Sequence, residues 1–104
     1  YTTLFRSISE MCSIGIVKIG AKGSLICKGT ERVKVNAVPV EKVLDTTGAG
    51  DYFAAGFLYG LTCGYSLEKC GKIGSILSSN IVQVVGAELP EAQWDDVKLK
   101  INYL

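Results

Sequence analysis

Apolar residues crowd the stretch from Ser13 to Ile19, SIGIVKI, and much of the run is β-branched. Such a run, halted by GAKG at 20–23, predicts a buried strand. SLICK, from Ser24 to Lys28, predicts a second short strand, after which Gly29-Thr30 turns the chain into ERVKVNAV. There Val33, Val35 and Ala37 alternate with charged or polar neighbours, the pattern of a strand with one solvated face. Short glycine-containing turns between strands predict an antiparallel meander. Beyond Pro39 the period changes. From Asp51 to Cys63, residues such as Phe53, Phe57, Leu58 and Leu61 fall on nearly every side of a helix, which predicts a buried one. Gly64 ends it, and Ser66 is placed to cap the next helix through its hydroxyl. That helix carries Leu67, Cys70, Ile73, Leu77, Ile81 and Val84 at three- and four-residue steps and is predicted to run until Gly86. Pro90 opens a last helix striped by Trp94, Val97, Ile101 and Leu104.

The order is therefore strands first, then three helices, an α/β arrangement without internal repeat or linker. Helices this apolar need more partner surface than so thin a set of strands supplies. A small complete α+β domain is one reading; a part of a larger fold is the other, and the uncovered apolar surface favours it. The first seven residues, YTTLFRS, resemble the translation of a sequencing-adapter oligonucleotide. Residues 1–7 are accordingly set apart as non-native, an ordinary native segment being the alternative, and fold reasoning starts at Ile8.

Composition narrows the chemistry. The 104 residues have room for one domain with a modest core. A net charge of +1 gives no bulk electrostatic reason to expect nucleic acid or an anionic membrane as partner. No apolar run approaches the ~20 residues of a membrane span, and no signal-peptide order is seen, so a cytoplasmic location is expected. The chain has no histidine, which removes histidine triads, histidine general bases and the commonest zinc sites. Cys12, Cys27, Cys63 and Cys70 form no C-x-x-C pair and lie in apolar stretches, so they read as reduced core residues. Chemistry falls to carboxylates, lysines, hydroxyls or backbone amides.

The stretch DTTGAGDYFAAGF, Asp45 to Phe57, offers carboxylates and amides together. Glycines at 48 and 50 let amides converge, because neither has a Cβ to hold the main chain off a ligand. If a helix starts near Gly50, the amides of Ala49, Gly50 and Asp51 are unpaired first-turn donors at the positive end of its dipole. Such an end suits phosphate or developing negative charge, although a purely structural turn explains the glycines equally well. Asp51 has two readings: a favourable charge at a helix N-terminus worth ~0.3–1 kcal/mol, or a general base beside an anion hole. The second pairing is what phosphoryl transfer to an alcohol needs, since catalysis there is positioning plus charge stabilisation.

At these residues the chain resembles a known family. DTTGAGDYFAAGF is similar to the C-terminal signature of the ribokinase-like (PfkB) family, ATP-dependent kinases of sugars and nucleosides. Upstream, VKIGAKGS resembles the family's strand–turn segment, commonly V-T-L-G-x-x-G, which lines the ATP site. Downstream, the long helix into VVGAELP resembles its final nucleotide- and cation-site region. The resemblance covers the chain from Ile14 onward. It implies the C-terminal portion of a three-layer α/β/α sandwich, with residues 8–104 forming an incomplete kinase domain.

By that resemblance Asp51 is the catalytic base that takes the proton of the acceptor hydroxyl, and Gly48, Ala49 and Gly50 form the anion hole. Lys18, Gly20 and Gly23 match the segment that touches ATP, Gly50 borders its phosphates, and Ser75 falls where a helix residue edges the adenine. Lys18 stands where threonine is frequent; a strand-end lysine facing solvent is the alternative. Asp45 and Thr47, with the carbonyls of Ile81, Val84 and Gly86, match a monovalent-cation site, and a turn-stabilising hydrogen bond is the alternative for the first two. Pro90 stands where some members place a serine ligand. ATP and Mg2+ are the implied cofactors, with K+ where the cation site is kept. The implied partner is a small sugar or nucleoside, and a homodimeric parent is allowed. The substrate-binding strands, lid, Gly-Gly hinge and N-x-x-E motif of the family have no counterpart here. The expectation is a kinase for the parent protein. For the chain alone it is an inactive, non-catalytic nucleotide- or anion-binding module. A regulator that has lost catalysis is a third reading, against which Asp51 argues.

Overall fold

The computed structural model describes residues 2–104. Its elements in chain order are α1 (Thr2–Met11), β1 (Ile14–Lys18), β2 (Ser24–Lys28), β3 (Glu31–Val35), α2 (Ala49–Thr62), α3 (Leu67–Ile81) and α4 (Glu91–Asn102). A single 3₁₀ turn at Gly20–Lys22 joins β1 to β2. The strands form the antiparallel meander read from the sequence, in the order β1-β2-β3, with Ile16 opposite Ile26 and Ile26 opposite Val33.

Alternate strand residues share a face, so this register sorts the side chains into two sets. Ile14, Ile16, Ile26, Val33 and Val35 share one face, packed with Phe53, Phe57, Leu67 and Cys70 of the helices into a continuous cluster. Gly15 and Cys27 lie on the other face, under α1: a Cβ on Gly15 would come within 2.7 Å of Ile8 Cγ2 and 3.0 Å of Cys27 Sγ. The Arg32 guanidinium stands 5.7 Å from the Phe5 ring centroid on that same side. The sheet thus lies between α1 and the α2–α3 pair.

Two expectations about order and burial need correcting. A helix precedes the strands, so strands-first describes the chain only from Ile14 on; residues 2–7, set apart as non-native, are the first turns of α1, and Tyr1 lies outside the described residues. Phe5 and Ile8, one helical turn apart, both end half-buried. The helix predicted to be buried all round, α2, buries a stripe of Phe53, Gly56, Phe57 and Gly60, while Leu58 and Tyr59 remain 58% and 52% exposed. The nearly enclosed helix is α3, eleven of whose fifteen residues are buried.

Small residues explain that closeness. A Cβ on Gly56 would lie 2.9 Å from Gly74 Cα, and one on Gly60 would lie 2.8 Å from Cys70 Sγ. The backbones of α2 and α3 therefore meet directly, which sets the second half of α3 beside the first turn of α2. A second cluster of Ile73, Ile76, Leu77, Ile81, Leu89 and Val97 ties α3 to α4. Each such aliphatic side chain contributes on the order of 1.5–3 kcal/mol by leaving water.

Ser66 caps α3 as read, its hydroxyl accepting from Lys69 N at 3.2 Å. The far end differs: α3 stops at Ile81, short of Val84 and Gly86. The Val82 carbonyl accepts the amides of Leu44 and Asp45 at 2.7 and 3.3 Å, so the chain there is drawn into a loop-to-loop contact. In α4, Val97 is buried but Leu104 falls past the helix end, exposed. All four cysteines are free; Cys27 and Cys70 are core residues, while Cys12 and Cys63 are exposed, next to the ends of α1 and α2. Among the described residues no helix is long and apolar enough to cross a membrane.

Candidate functional site

The 45–51 turn is built on Asp45. Its Oδ1 accepts from the Thr47 amide at 2.9 Å and from the Thr47 hydroxyl at 2.6 Å, and its Oδ2 accepts from the Gly86 amide at 2.9 Å. These donors, the Thr47 hydroxyl foremost and the Gly86 amide next, pull the Asp45 carboxyl down to about 2. The turn-stabilising reading of Asp45 and Thr47 is thus realised, and the same carboxylate reaches across to Gly86. Of the other residues matched to a cation site, Ile81 ends α3 and its carbonyl accepts from Val84 N at 3.3 Å.

Gly48 is the N-cap of α2, at φ 81 and ψ −1, and no side chain caps the helix. That left-handed conformation is open to glycine at no steric cost. A Cβ there would also stand 3.3 Å from Ala87 Cβ. Of the three amides read as free donors, the Ala49 amide is not free: it donates to the Thr46 carbonyl at 3.2 Å, closing a turn just ahead of the helix. Among the described residues no acceptor meets the amides of Gly50 and Asp51. Asp51 itself is exposed in this first turn. Tyr52 follows it and is held from outside: its hydroxyl donates to the Ala87 carbonyl and accepts the Leu89 amide, each at 3.2 Å. Its ring stacks on Trp94 at 6.1 Å.

Beside this turn is a cavity of about 600 Å³ whose walls include Lys18, Gly20, Gly23, Ala49 and Ser75. The four residues matched to a nucleotide-binding role in the strand–turn segment and in α3 are therefore gathered in one place with the helix start. Gly48, Gly50 and Asp51 border the cavity through Ala49 and are not themselves in its walls. Sequence reasoning missed Thr46, Phe53, Ser78 and Ser79, and the apolar wall of Val38, Pro39, Val40 and Val43. The signal for the serines was available: Ser75, Ser78 and Ser79 fall at helical spacing on one face of α3, with Val82 just past its end. Lys18 is exposed at the end of β1, as its solvent-facing alternative has it, and its Nζ stands 5.4 Å from the Phe53 ring centroid. Opposite it in the ladder, the Ser24 hydroxyl is buried without a hydrogen-bond partner.

These groups fit a nucleotide. Open amides at a helix start, with a lysine alongside, suit phosphates, and Val38, Pro39, Val40 and Val43 add apolar surface that suits a base to the walls that also hold Ser75 and Ser79. Among the described residues no group of three or more Cys, Asp or Glu side chains converges, and a nucleotide-bound Mg2+ needs only one or two carboxylates beside the phosphates.

The chain matches the model of the pfkB family carbohydrate kinases over residues 8–94. A nucleoside kinase of Methanocaldococcus jannaschii is 42% identical over 82 residues, covering 79% of this chain and 27% of that protein. Among solved structures, a probable sugar kinase of Rhizobium etli CFN 42 superposes with a TM-score of 0.88 at 40% identity, over 95% of this chain and 30% of that one. The ribokinase of Arabidopsis thaliana, complexed with ribose and ATP, gives a TM-score of 0.75 at 34% identity, over 88% of this chain and 30% of that one. The chain spans about a quarter to a third of the length of these relatives.

Proposed function

The chain belongs to the pfkB family of carbohydrate kinases, and from that premise we propose that it is the phosphate- and nucleotide-handling part of a longer kinase. That kinase moves the γ-phosphoryl group of ATP to a hydroxyl of a sugar or nucleoside. The observation that carries this reading is the pair of open amides, Gly50 and Asp51, at an uncapped helix start beside a cavity of nucleotide size.

In this reading the apolar Val38–Val43 wall and Ser75 hold the base and the helix start holds the phosphates. Asp51 accepts the proton of the acceptor hydroxyl as its oxygen forms the new bond to the γ-phosphorus. The bond from that phosphorus to the bridging oxygen breaks, and ADP leaves with the electron pair. The donors of the anion hole are the amides of Gly50 and Asp51 rather than that of Ala49, which is spent on Thr46. A monovalent cation fits beside Asp45 and Thr47: an ionised carboxylate has about four lone-pair sites, and Asp45 uses three. In this reading the carbonyls of Ile81, Val84 and Gly86 complete the site, as the family resemblance implies.

Taken alone, the chain is a nucleotide- or anion-binding module without turnover, a reading favoured by its covering only 27–30% of its relatives. The test is a screen of the full-length protein with ATP against sugars and nucleosides, following ADP release. Release that depends on one acceptor class is expected; none across the panel would overturn the proposal.

A further inference from the structure

Residues 85–89 lie between α3 and α4 with no helix or strand of their own, so their backbone groups need partners elsewhere. Among the described residues this segment makes three hydrogen bonds, each to a side chain of the 45–52 stretch. The Gly86 amide donates to Asp45 at 2.9 Å. The Ala87 carbonyl accepts from the Tyr52 hydroxyl, and the Leu89 amide donates to it, each at 3.2 Å. Asp45 and Tyr52 thus fasten the two ends of residues 46–51 onto one segment. Between these anchors a Cβ on Gly48 would stand 3.3 Å from Ala87 Cβ, so the N-cap of α2 lies against that segment too.

Tyr52 suits the task because a phenol both donates and accepts, and its two partners are main-chain groups. Its own place is fixed from two sides. The Tyr52 amide donates to the Gly48 carbonyl at 2.9 Å, and its ring stacks on Trp94 near the start of α4, 6.1 Å between centroids and 26° between planes. Helix ends fray, and at the uncapped start of α2 the residues exposed to fraying are Gly50 and Asp51, directly before Tyr52. Tyr52 itself is not in the wall of the cavity.

Resting on the kinase reading above, we propose that Tyr52 is a positioning residue for phosphoryl transfer. By tying α2 to Ala87 and Leu89, its hydroxyl holds the Gly50 and Asp51 amides and the Asp51 carboxylate in register with the transferring group. Tyr52 touches no substrate and exchanges no proton; it acts through its neighbours in the first turn. Positioning supplies much of the catalysis of this reaction class, and a misplacement of about 1 Å can cost about 10²-fold in rate.

The test compares two variants of the full-length kinase. Tyr52→Phe keeps the ring on Trp94 and loses both hydrogen bonds, whereas Trp94→Leu loses the stack and keeps the hydroxyl. Tyr52→Phe is expected to lower kcat by about 10–10²-fold with the KM for ATP and acceptor unchanged. Without nucleotide, its amide hydrogen exchange across 46–53 should be faster than in the wild type. Trp94→Leu should lower Tm and leave kcat and that exchange unchanged. Wild-type kcat in Tyr52→Phe, with Asp51→Asn still impaired, would overturn the proposal and leave the kinase reading standing. Equal falls of kcat in both variants would mark a general loosening and overturn it as well. A raised KM for ATP at wild-type kcat would make Tyr52 a binding residue and overturn it too. A wild-type protein with no ATP-dependent transfer to any acceptor would take down both readings.

Discussion

Two helices of this chain begin in opposite ways. At α3, Ser66 sits in an extended conformation at φ −61 and ψ 159, and its hydroxyl takes up the Lys69 amide. Glu68 adds a negative charge to that first turn. The start of α3 is closed by its own sequence. At α2, the N-cap is a left-handed glycine with no side chain to offer, and the amides of Gly50 and Asp51 stay open. Serine at position 48 would cap from an extended conformation, which the Gly48 backbone does not adopt. Leaving a helix start uncapped forgoes about 1 kcal/mol. The loss is offset from outside the helix, by the Asp45 carboxylate on Gly86 and the Tyr52 hydroxyl between Ala87 and Leu89. A capped start serves stability, whereas an uncapped start braced by distant residues keeps its donors for something else.

If that contrast is functional, removing the acidic groups in the two first turns must have unequal effects. Asp51→Asn in the full-length kinase is expected to lower kcat by about 10²–10⁴-fold, the range for a lost general base, with ATP affinity largely intact. Steady-state kinetics and nucleotide titration measure the two quantities separately. Near-normal turnover would reduce Asp51 to a charge on a helix dipole, no different in kind from Glu68.

The contrast was half legible in the sequence. Ser66 could be read directly as a cap, because the capping bond is local and needs only a hydroxyl three residues before an amide. The meander was legible for the same reason: alternation and short glycine turns are local signals. The open amides of α2 were legible in part. The glycines gave the turn, but only the fold shows that Ala49 bends back to Thr46 and that the helix starts a residue early. The distance from Lys18 to Phe53 was not legible, since it depends on how α2 packs on the sheet around Phe53. The overrun of α3 has a similar origin. Val84 continues the apolar spacing, but the Val82 carbonyl is committed to Leu44 and Asp45. A pairing so distant in sequence leaves no periodic trace. The first turns of α1 were excluded on grounds of origin, although Leu4, Phe5, Ile8 and Met11 follow helical spacing.

A smaller effect tests the other helix. Ser66→Ala should cost about 1 kcal/mol, since it orphans the Lys69 amide. Thermal unfolding would report the loss, while kcat should stay unchanged because α3 contributes to the cavity through Ser75, Ser78 and Ser79, far along from its cap. A large fall in kcat would mean that both helix starts serve the site, and the contrast would fail.

The smallest effect concerns what replaces the cap at α2. The Asp45 carboxyl is held at about 2 against an ordinary 3.8, by the Thr47 hydroxyl, the Gly86 amide and the Thr47 amide. A folded-state value below the unfolded one means that the unfolded chain binds the proton more readily as pH falls. The contribution of the clamp is therefore complete above about pH 3.8 and is lost as pH falls through about 2. Asp45→Asn lacks this proton linkage, so its stability should fall less steeply than that of the wild type across this window. Far-UV circular dichroism during acid titration of the two proteins makes the comparison. Parallel curves would mean that the three hydrogen bonds to Asp45 contribute nothing to holding the turn. The bracing of the uncapped helix would then rest on Tyr52, whose bonds to Ala87 and Leu89 do not titrate in that range.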